Sequence, residues 1–300
     1  MSLLDKTLIT LMPLVPQPIV GYFSRPYIAG ADLVDGIAKT RQLIEEGCIA
    51  TLDVLGEEVA NRAETEFFTE QYLIALDRIE AEKIECNISI KATAIGLTID
   101  SELCENNLRR VLTRARELNN FVRIDMEDSS VTTATLDLYR KLRDEFDNTG
   151  IVLQSYMKRS LDDIAELVRL QVNVRVCKGI YVEPPEIAYK DPQRIRDNFM
   201  EMVENLFGAG CYVGIATHDR QLVERSIELV RRLGLGPEDY EFQMLLGVTP
   251  ALRREILADG HRMRVYVPFG EQWYAYSMRR LKENPAVAGH IFRAIFKTKA

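Results

Sequence analysis

Eight short β-rich runs, each followed by a polar turn and a segment of helical period, predict a single α/β domain of the (β/α)8 barrel type. Two further observations support that class. The 300 residues are 47% hydrophobic, enough to bury one large core. The phosphate fingerprint of an open doubly wound sheet is also missing. Gly208-Ala-Gly-Cys-Tyr-Val-Gly214 has the wrong spacing and leads into a strand instead of opening a helix.

In chain order the strands are expected at Ile49–Leu55, Ile84–Lys91, Phe121–Met126, Ile151–Tyr156, Val172–Lys178, Cys211–Thr217, Tyr240–Leu245 and Met263–Val267. Helices are expected between them, at Ser101–Leu118, Thr132–Phe146, Leu161–Leu170, Pro192–Phe207 and Gln221–Leu233. Asp100-Ser-Glu102 and Ser160-Leu-Asp-Asp163 have the form of helix starts, a capping side chain with acids in the first turn. Residues 1–47 lie outside the alternation and read as an N-terminal arm, with residues 48–300 as the catalytic barrel. Within the arm, Asp32–Glu46 reads as a helix. The apolar run Leu8–Phe23 is broken by Pro13, Pro16 and Pro18, so it reads as an extended segment packed on the domain, too short and interrupted for a membrane span. Only Lys6 precedes it, with Asp5 alongside, which makes a poor secretory signal.

Composition narrows the function. A net charge of −7 argues against a nucleic-acid surface, so any cationic patch should be local and serve a small anion. The five cysteines are scattered without a C-x-x-C pair, and the three histidines are not at ligand spacing. Reduced thiols in a cytoplasmic protein are expected, with no metal centre.

Active sites of such barrels sit where strands end and βα loops begin. The residues expected there are Asp53 and Glu57; Lys91; Asp125, Glu127 and Asp128; Gln154; Arg175 and Lys178; Thr217, His218 and Asp219; Gln243; and Tyr266. Each has a plain structural alternative, such as a snorkelling Lys91 or a hydrogen-bonded loop His218. As a set, Lys91, Arg175, Lys178, Arg279 and Arg280 bring more cation to one mouth than a chemical step requires, which implies an anionic ligand, or two of them. Beyond Tyr266-Val-Pro-Phe-Gly comes Tyr276-Ser-Met-Arg-Arg-Leu-Lys-Glu283, where Tyr276, Arg279, Arg280 and Glu283 share one helical face. Two planar guanidiniums there suit a small organic acid, because each can grip a carboxylate through paired hydrogen bonds.

With those motifs in view, the chain resembles the proline dehydrogenase family, in its monofunctional bacterial form. The blocks that carry the resemblance run in order from Leu52-Asp-Val-Leu-Gly-Glu57 through Ser89-Ile-Lys91, Ile124-Asp-Met-Glu127, Leu153-Gln-Ser-Tyr156, Arg175-Val-Cys-Lys-Gly-Ile-Tyr181, Ala216-Thr-His218, Glu241-Phe-Gln-Met244 and Arg264-Val-Tyr266 to Tyr276-x-x-Arg-Arg-x-x-Glu283. The resemblance implies a distorted barrel whose last helix lies over the mouth, with non-covalent FAD. It implies oxidation of L-proline to Δ1-pyrroline-5-carboxylate by hydride transfer to flavin N5. Electrons would pass to a membrane quinone, with transient contact at the inner face of the membrane. A separate pyrroline-5-carboxylate dehydrogenase would carry out the second oxidation.

Carried over by position, Lys91, Arg279 and Arg280 would hold the proline carboxylate, while Tyr181, Tyr266 and Tyr276 pack around the ring. Asp125 and Arg175 would form the catalytic set, Arg175 beside the flavin. Met126, Gln154, Lys178, Gly179, Ile180, Tyr181, Thr217 and His218 would contact FAD. Glu57 and Glu283 would gate access through the arginines. Val182 stands where many bifunctional relatives carry tryptophan, so no stacking contribution is expected there. Three alternatives stay open: a flavin dehydrogenase for a related cyclic imino acid such as hydroxyproline, a Schiff-base barrel lyase using Lys91, and a non-catalytic binding protein on the same scaffold.

Overall fold

A computed structural model describes residues 17–56, 59–274 and 276–278 of the chain. Two helices lead in, α1 (Gln17–Ser24) and α2 (Leu33–Glu45). The alternation then runs β1 (Ile49–Val54), α3 (Arg62–Glu82), β2 (Cys86–Ile90), α4 (Ser101–Glu117), β3 (Val122–Ile124), α5 (Ser129–Arg143), β4 (Thr149–Gln154), α6 (Ser160–Leu167), β5 (Asn173–Cys177), α7 (Pro192–Gly208), β6 (Tyr212–Ala216), α8 (Arg220–Leu233), β7 (Tyr240–Leu245), α9 (Pro250–Ala258) and β8 (Met263–Phe269). All eight strands are parallel, and β1 pairs with β8 to close the barrel.

The period-two alternation of a strand explains both layers. One set of side chains, including Leu52, Ile88, Ile90, Val122, Ile124, Val174, Val176, Val213, Ile215, Phe242, Val265 and Val267, is buried in the main apolar core. The other set faces the barrel interior and is largely polar, with Val152 and the glycines Gly150 and Gly214 among it. Closure places Thr51 opposite Tyr266, and the neighbouring pairings place Asp53 opposite Ser89 and Arg175 opposite Gly214.

The floor of this interior is a buried charged network. Arg264 Nε reaches Glu241 Oε1 at 2.5 Å and Arg264 Nη1 donates to the Ala50 carbonyl at 2.7 Å. Tyr212 Oη and Gln243 Nε2 also donate to Glu241, at 3.0 and 2.7 Å. Arg123 Nη1 donates to the Asn173 carbonyl at 2.7 Å. Gly150 makes room for that guanidinium, since a methyl group there would overlap Arg123 Nη1 and the Asn173 carbonyl. Burial would push the Glu241 carboxyl up, but the Arg264 guanidinium outweighs it and holds the group below its usual range. Burial, with Arg175 nearby, pushes Arg123 down to about 10. Buried ion pairs of this kind contribute little net stability, yet losing one partner strands the other.

Several expectations need correction. Gln17–Ser24 is helical, not extended, because Pro18 falls in the first turn, where its missing N–H costs nothing. Residues 1–16 lie outside the described residues. Helix α5 begins three residues before the expected Thr132, because Asp128 caps it by accepting from Ser130 N at 2.9 Å. Helix α6 does start at Ser160, but not through a capping hydroxyl: Ser160 Oγ donates to the Gln154 carbonyl at 2.6 Å. Its far end tightens into a 3-10 turn at Val168–Leu170, closed by Gln171 in the left-handed region. Asp100 caps α4 by accepting from Glu102 N and Leu103 N at 3.0 and 3.1 Å. Asp100→Ala should lower stability by about 1 kcal/mol, read as an earlier midpoint in urea denaturation.

Candidate active site

At the C-terminal ends of the strands the barrel opens into a cavity of about 720 Å³. That lies within the range of small-molecule sites, roughly 300–1,000 Å³. The walls come from most of the barrel: Asp53 (β1), Lys91 (after β2), Asp125 and Met126 (after β3), Gln154 (β4), Arg175 and Cys177 through Tyr181 (β5 and its loop), Thr217 and His218 (after β6), Gln243 (β7) and Tyr266 (β8). Tyr276 completes it from the helical residues beyond β8.

At its base, three donors converge on one carboxylate. Asp125 accepts from Ser89 Oγ at 2.5 Å and Tyr266 Oη at 2.6 Å, and pairs with Arg175 Nη2 at 3.0 Å. The Arg175 guanidinium also lies 5.2 Å from the centre of the Tyr266 ring. Burial pushes the Tyr266 phenol well up, reinforced by Asp125 and Asp53, so it stays neutral and donates. Burial opposes the charge on Arg175, but Asp125 wins and raises its pKa. A carboxylate engaged this way is an anchor for cation and phenol, poorly suited to take a proton from substrate. Beside it, Lys91 Nζ pairs with Asp53 Oδ1 at 2.8 Å, both side chains buried.

The opposite wall is built from loops held from below. Tyr156 N donates to the Lys178 carbonyl at 2.9 Å and Tyr189 N to the Tyr156 carbonyl at 2.7 Å. Glu183 accepts from Ser129 N at 2.7 Å at the start of α5. This fixes the turn at Gly179, whose φ of +99° is a left-handed conformation that favours glycine. Any side chain there would overlap the Tyr156 ring. His218 Nε2 accepts from Leu245 N at 2.9 Å, so the ring's Nδ1 is the nitrogen left to carry a hydrogen and donate. Asp219 caps α8 and pairs with Lys178 and, at 2.7 Å, with Arg196 Nε. Burial pushes the Asp219 carboxyl up, but these two cations pull it below its usual range. Gln154 Nε2 donates to the Glu127 carbonyl at 2.8 Å, which sets the amide's orientation.

Of the sequence-predicted site residues, Lys91, Asp125, Met126, Gln154, Arg175, Lys178, Gly179, Ile180, Tyr181, Thr217, His218, Tyr266 and Tyr276 all border this cavity. Glu127 and Asp128, expected at the rim, do not. Glu127 accepts from Thr93 N at 3.1 Å, and Asp128 caps α5. Glu57, Arg279, Arg280 and Glu283 lie outside the described residues, as does the expected last helix beyond Met278. The sequence reading assigned no role to Asp53, and missed Cys177 and Met244 in the wall. Asp53, placed at the mouth by the sequence, lies there; strand parity would also have found Cys177, which follows Arg175 by two residues. Among the described residues, no helix is long and apolar enough to cross a membrane.

A closed parallel barrel with a deep, cation-lined cavity at the C-terminal ends of its strands defines a small-molecule enzyme scaffold with room for an anionic ligand. The comparisons with known proteins narrow this class. Residues 37–293 match the family model for proline dehydrogenase. Proline dehydrogenase 1 of Bacillus subtilis subsp. natto is 34% identical over 274 residues, 91% of each chain. Proline dehydrogenase of Deinococcus radiodurans is 35% identical over 276 residues, 90% of this chain and 89% of that one. A crystal structure of proline utilization A from Bdellovibrio bacteriovorus, inactivated by N-propargylglycine, aligns at a TM-score of 0.82 and 24% identity, over 88% of this chain and 32% of that one. The chain belongs to the proline dehydrogenase family, oxidoreductases of proline catabolism.

Proposed function

We propose that the protein oxidises L-proline to Δ1-pyrroline-5-carboxylate with non-covalent FAD as the immediate acceptor. What carries this reading is the convergence of Lys91, Arg175 and Tyr266, from β2, β5 and β8, on one cavity bordered by Tyr181 and Tyr276.

The residues fit a flavin. Arg175 borders the cavity and carries a fixed positive charge, held by Asp125 at 3.0 Å. The Gly179 turn presents backbone where a side chain would intrude. Met126, Gln154, Arg175, Lys178, Gly179, Ile180, Tyr181, Thr217 and His218 would hold FAD, which supplies a two-electron acceptor for hydride when bound.

The chain's own residues then have separable tasks. Lys91 offers an ammonium to the proline carboxylate, assisted by Arg279 and Arg280. Tyr266 and Tyr276 wall the five-membered ring, so that the carbon beside its nitrogen is held in one pose. Asp125 keeps Arg175 and Tyr266 in place, and Arg175 provides a fixed, mostly buried positive charge where negative charge would develop. Glu57 and Glu283 gate access in this reading. A quinone accepts the electrons in turn, at transient contact with the membrane, and a separate dehydrogenase consumes the product.

The rival readings are weaker on two observations. A Schiff-base lyase needs Lys91 Nζ to reach a substrate carbonyl, whereas that nitrogen is held against Asp53 Oδ1 at 2.8 Å. For hydroxyproline, Tyr266 packed against the ring would crowd an added hydroxyl, since Asp125 fixes the phenol in place. The test is anaerobic: purified protein should be yellow and should bleach on adding L-proline. Colourless protein, or a yellow one unmoved by proline, would reject the proposal.

A further inference from the structure

The floor of the cavity holds an amide that the proposed flavin cradle does not yet use. Gln243 is 6% exposed, lies on β7 and borders the cavity. Its Nε2 donates to Glu241 Oε1 at 2.7 Å. Glu241 also accepts from Arg264 Nε and the Tyr212 hydroxyl. Burial opposes its charge, but Arg264 keeps the carboxyl below its usual range and therefore ionised. An ionised carboxylate can only accept, so it fixes which end of the Gln243 amide faces it. The NH2 group is turned to Glu241, and the carbonyl oxygen Oε1 is the end left for a ligand. Among the described residues, no donor bonds to that oxygen.

Two neighbours show which side of the cavity the amide serves. A methyl group on Gly214 would come within 2.6 Å of Gln243 Nε2 and 3.5 Å of the Arg175 Cα. The Gln243 side chain therefore leans over β6, on the side of Arg175. Thr217 N also donates to the Gln243 backbone carbonyl at 3.2 Å, at the end of β6 where Thr217 and His218 border the cavity. These are residues assigned above to the flavin. A buried carbonyl oxygen calls for a donor, and the oxidised isoalloxazine ring carries one, N3–H, set between two carbonyl acceptors.

We infer that Gln243 is a further cofactor-binding residue, its carbonyl oxygen turned into the cavity by Glu241 to accept from the N3–H of the flavin ring. The inference deepens the proposed function and rests on its flavin.

The experiment compares wild type, Gln243→Ala and Gly214→Ala as full-length holoproteins. Each is equilibrated with equal excesses of FAD and 3-methyl-FAD, in which a methyl group replaces the N3 hydrogen. Gel filtration removes free flavin, and the two bound forms are counted by mass. Wild type should prefer FAD by roughly tenfold or more, the effect of losing a hydrogen bond inside a protein. In Gln243→Ala the preference should fall to about threefold or less, and FAD itself should bind about tenfold more weakly. Gly214→Ala keeps the glutamine but pushes its amide aside, so the preference should fall there as well. A role confined to packing would weaken both flavins alike and leave the preference unchanged.

Wild type without any flavin would reject the proposed function itself. With flavin bound, a wild type that takes both forms equally would overturn the inference alone. So would an undiminished preference in Gln243→Ala, which would assign N3–H to another acceptor such as Gln154. A raised Michaelis constant for proline in Gln243→Ala, with the flavin preference intact, would give the oxygen to the substrate's ring nitrogen and overturn the inference too. If Gln243→Ala does not fold, Gly214→Ala decides the matter, because there only the far end of a flexible side chain has to give way. A wild-type preference in that variant contradicts the inference.

Discussion

Arg175→Met should cost two to three orders of magnitude in kcat/KM for proline, about 10²–10³-fold. The size follows from where the charge sits. Arg175 is on a central strand, pairs with Asp125 at 3.0 Å, lies against the Tyr266 ring and keeps Nε unpartnered at a buried position. Methionine fills a similar volume but removes every donor. Among the described residues, Asp125 would then keep the Ser89 and Tyr266 hydroxyls, at 2.5 and 2.6 Å, around a buried charge that has lost its cation. Two readouts separate chemistry from collapse. Stopped-flow bleaching by proline should slow by that factor, while circular dichroism should remain that of the folded barrel. Wild-type bleaching in Arg175→Met would show that the cation takes no part in the reaction.

Gly179→Ala should empty the flavin site, with a roughly 30- to 150-fold loss of FAD affinity. The φ of +99° is costly for any residue with a Cβ, and the added methyl would meet the Tyr156 ring. Strain and overlap together come to about 2–3 kcal/mol, which is that factor in affinity. The loop has little freedom to absorb the change. It is tied down at Tyr156 N to Lys178 O, at Tyr189 N to Tyr156 O and at Glu183 to Ser129. The check is flavin absorbance per chain after gel filtration, with and without added FAD. Full retention of flavin in Gly179→Ala would mean that this turn is not part of the cradle.

The sequence carried the architecture because a parallel strand buried against helices needs a branched apolar side chain at every second position, and runs such as Ile88/Ile90 and Val174/Val176 supply it. The mouth was legible for the same reason: the polar residue that ends each run has to turn toward the loops. Harder to read were contacts that depend on closure. That Tyr266 would donate to Asp125, or that Arg264 would pair with Glu241 in the floor, depends on the register at which β8 meets β1 and β7. Local residue patterns do not encode that register. Capping side chains had the same weakness. Ser160 and Asp128 are equally good capping candidates by composition, and only the neighbouring Gln154 carbonyl decides that Ser160 turns away.

The most direct test of the central claim is a crystal structure of the flavin-loaded protein with a proline analogue that it does not oxidise. The analogue's carboxylate should lie within about 3 Å of Lys91 Nζ, with Arg175 against the isoalloxazine and the Tyr266 and Tyr276 rings around the analogue. An analogue seated away from Lys91, or a flavin bound anywhere other than beside Arg175, would contradict the account.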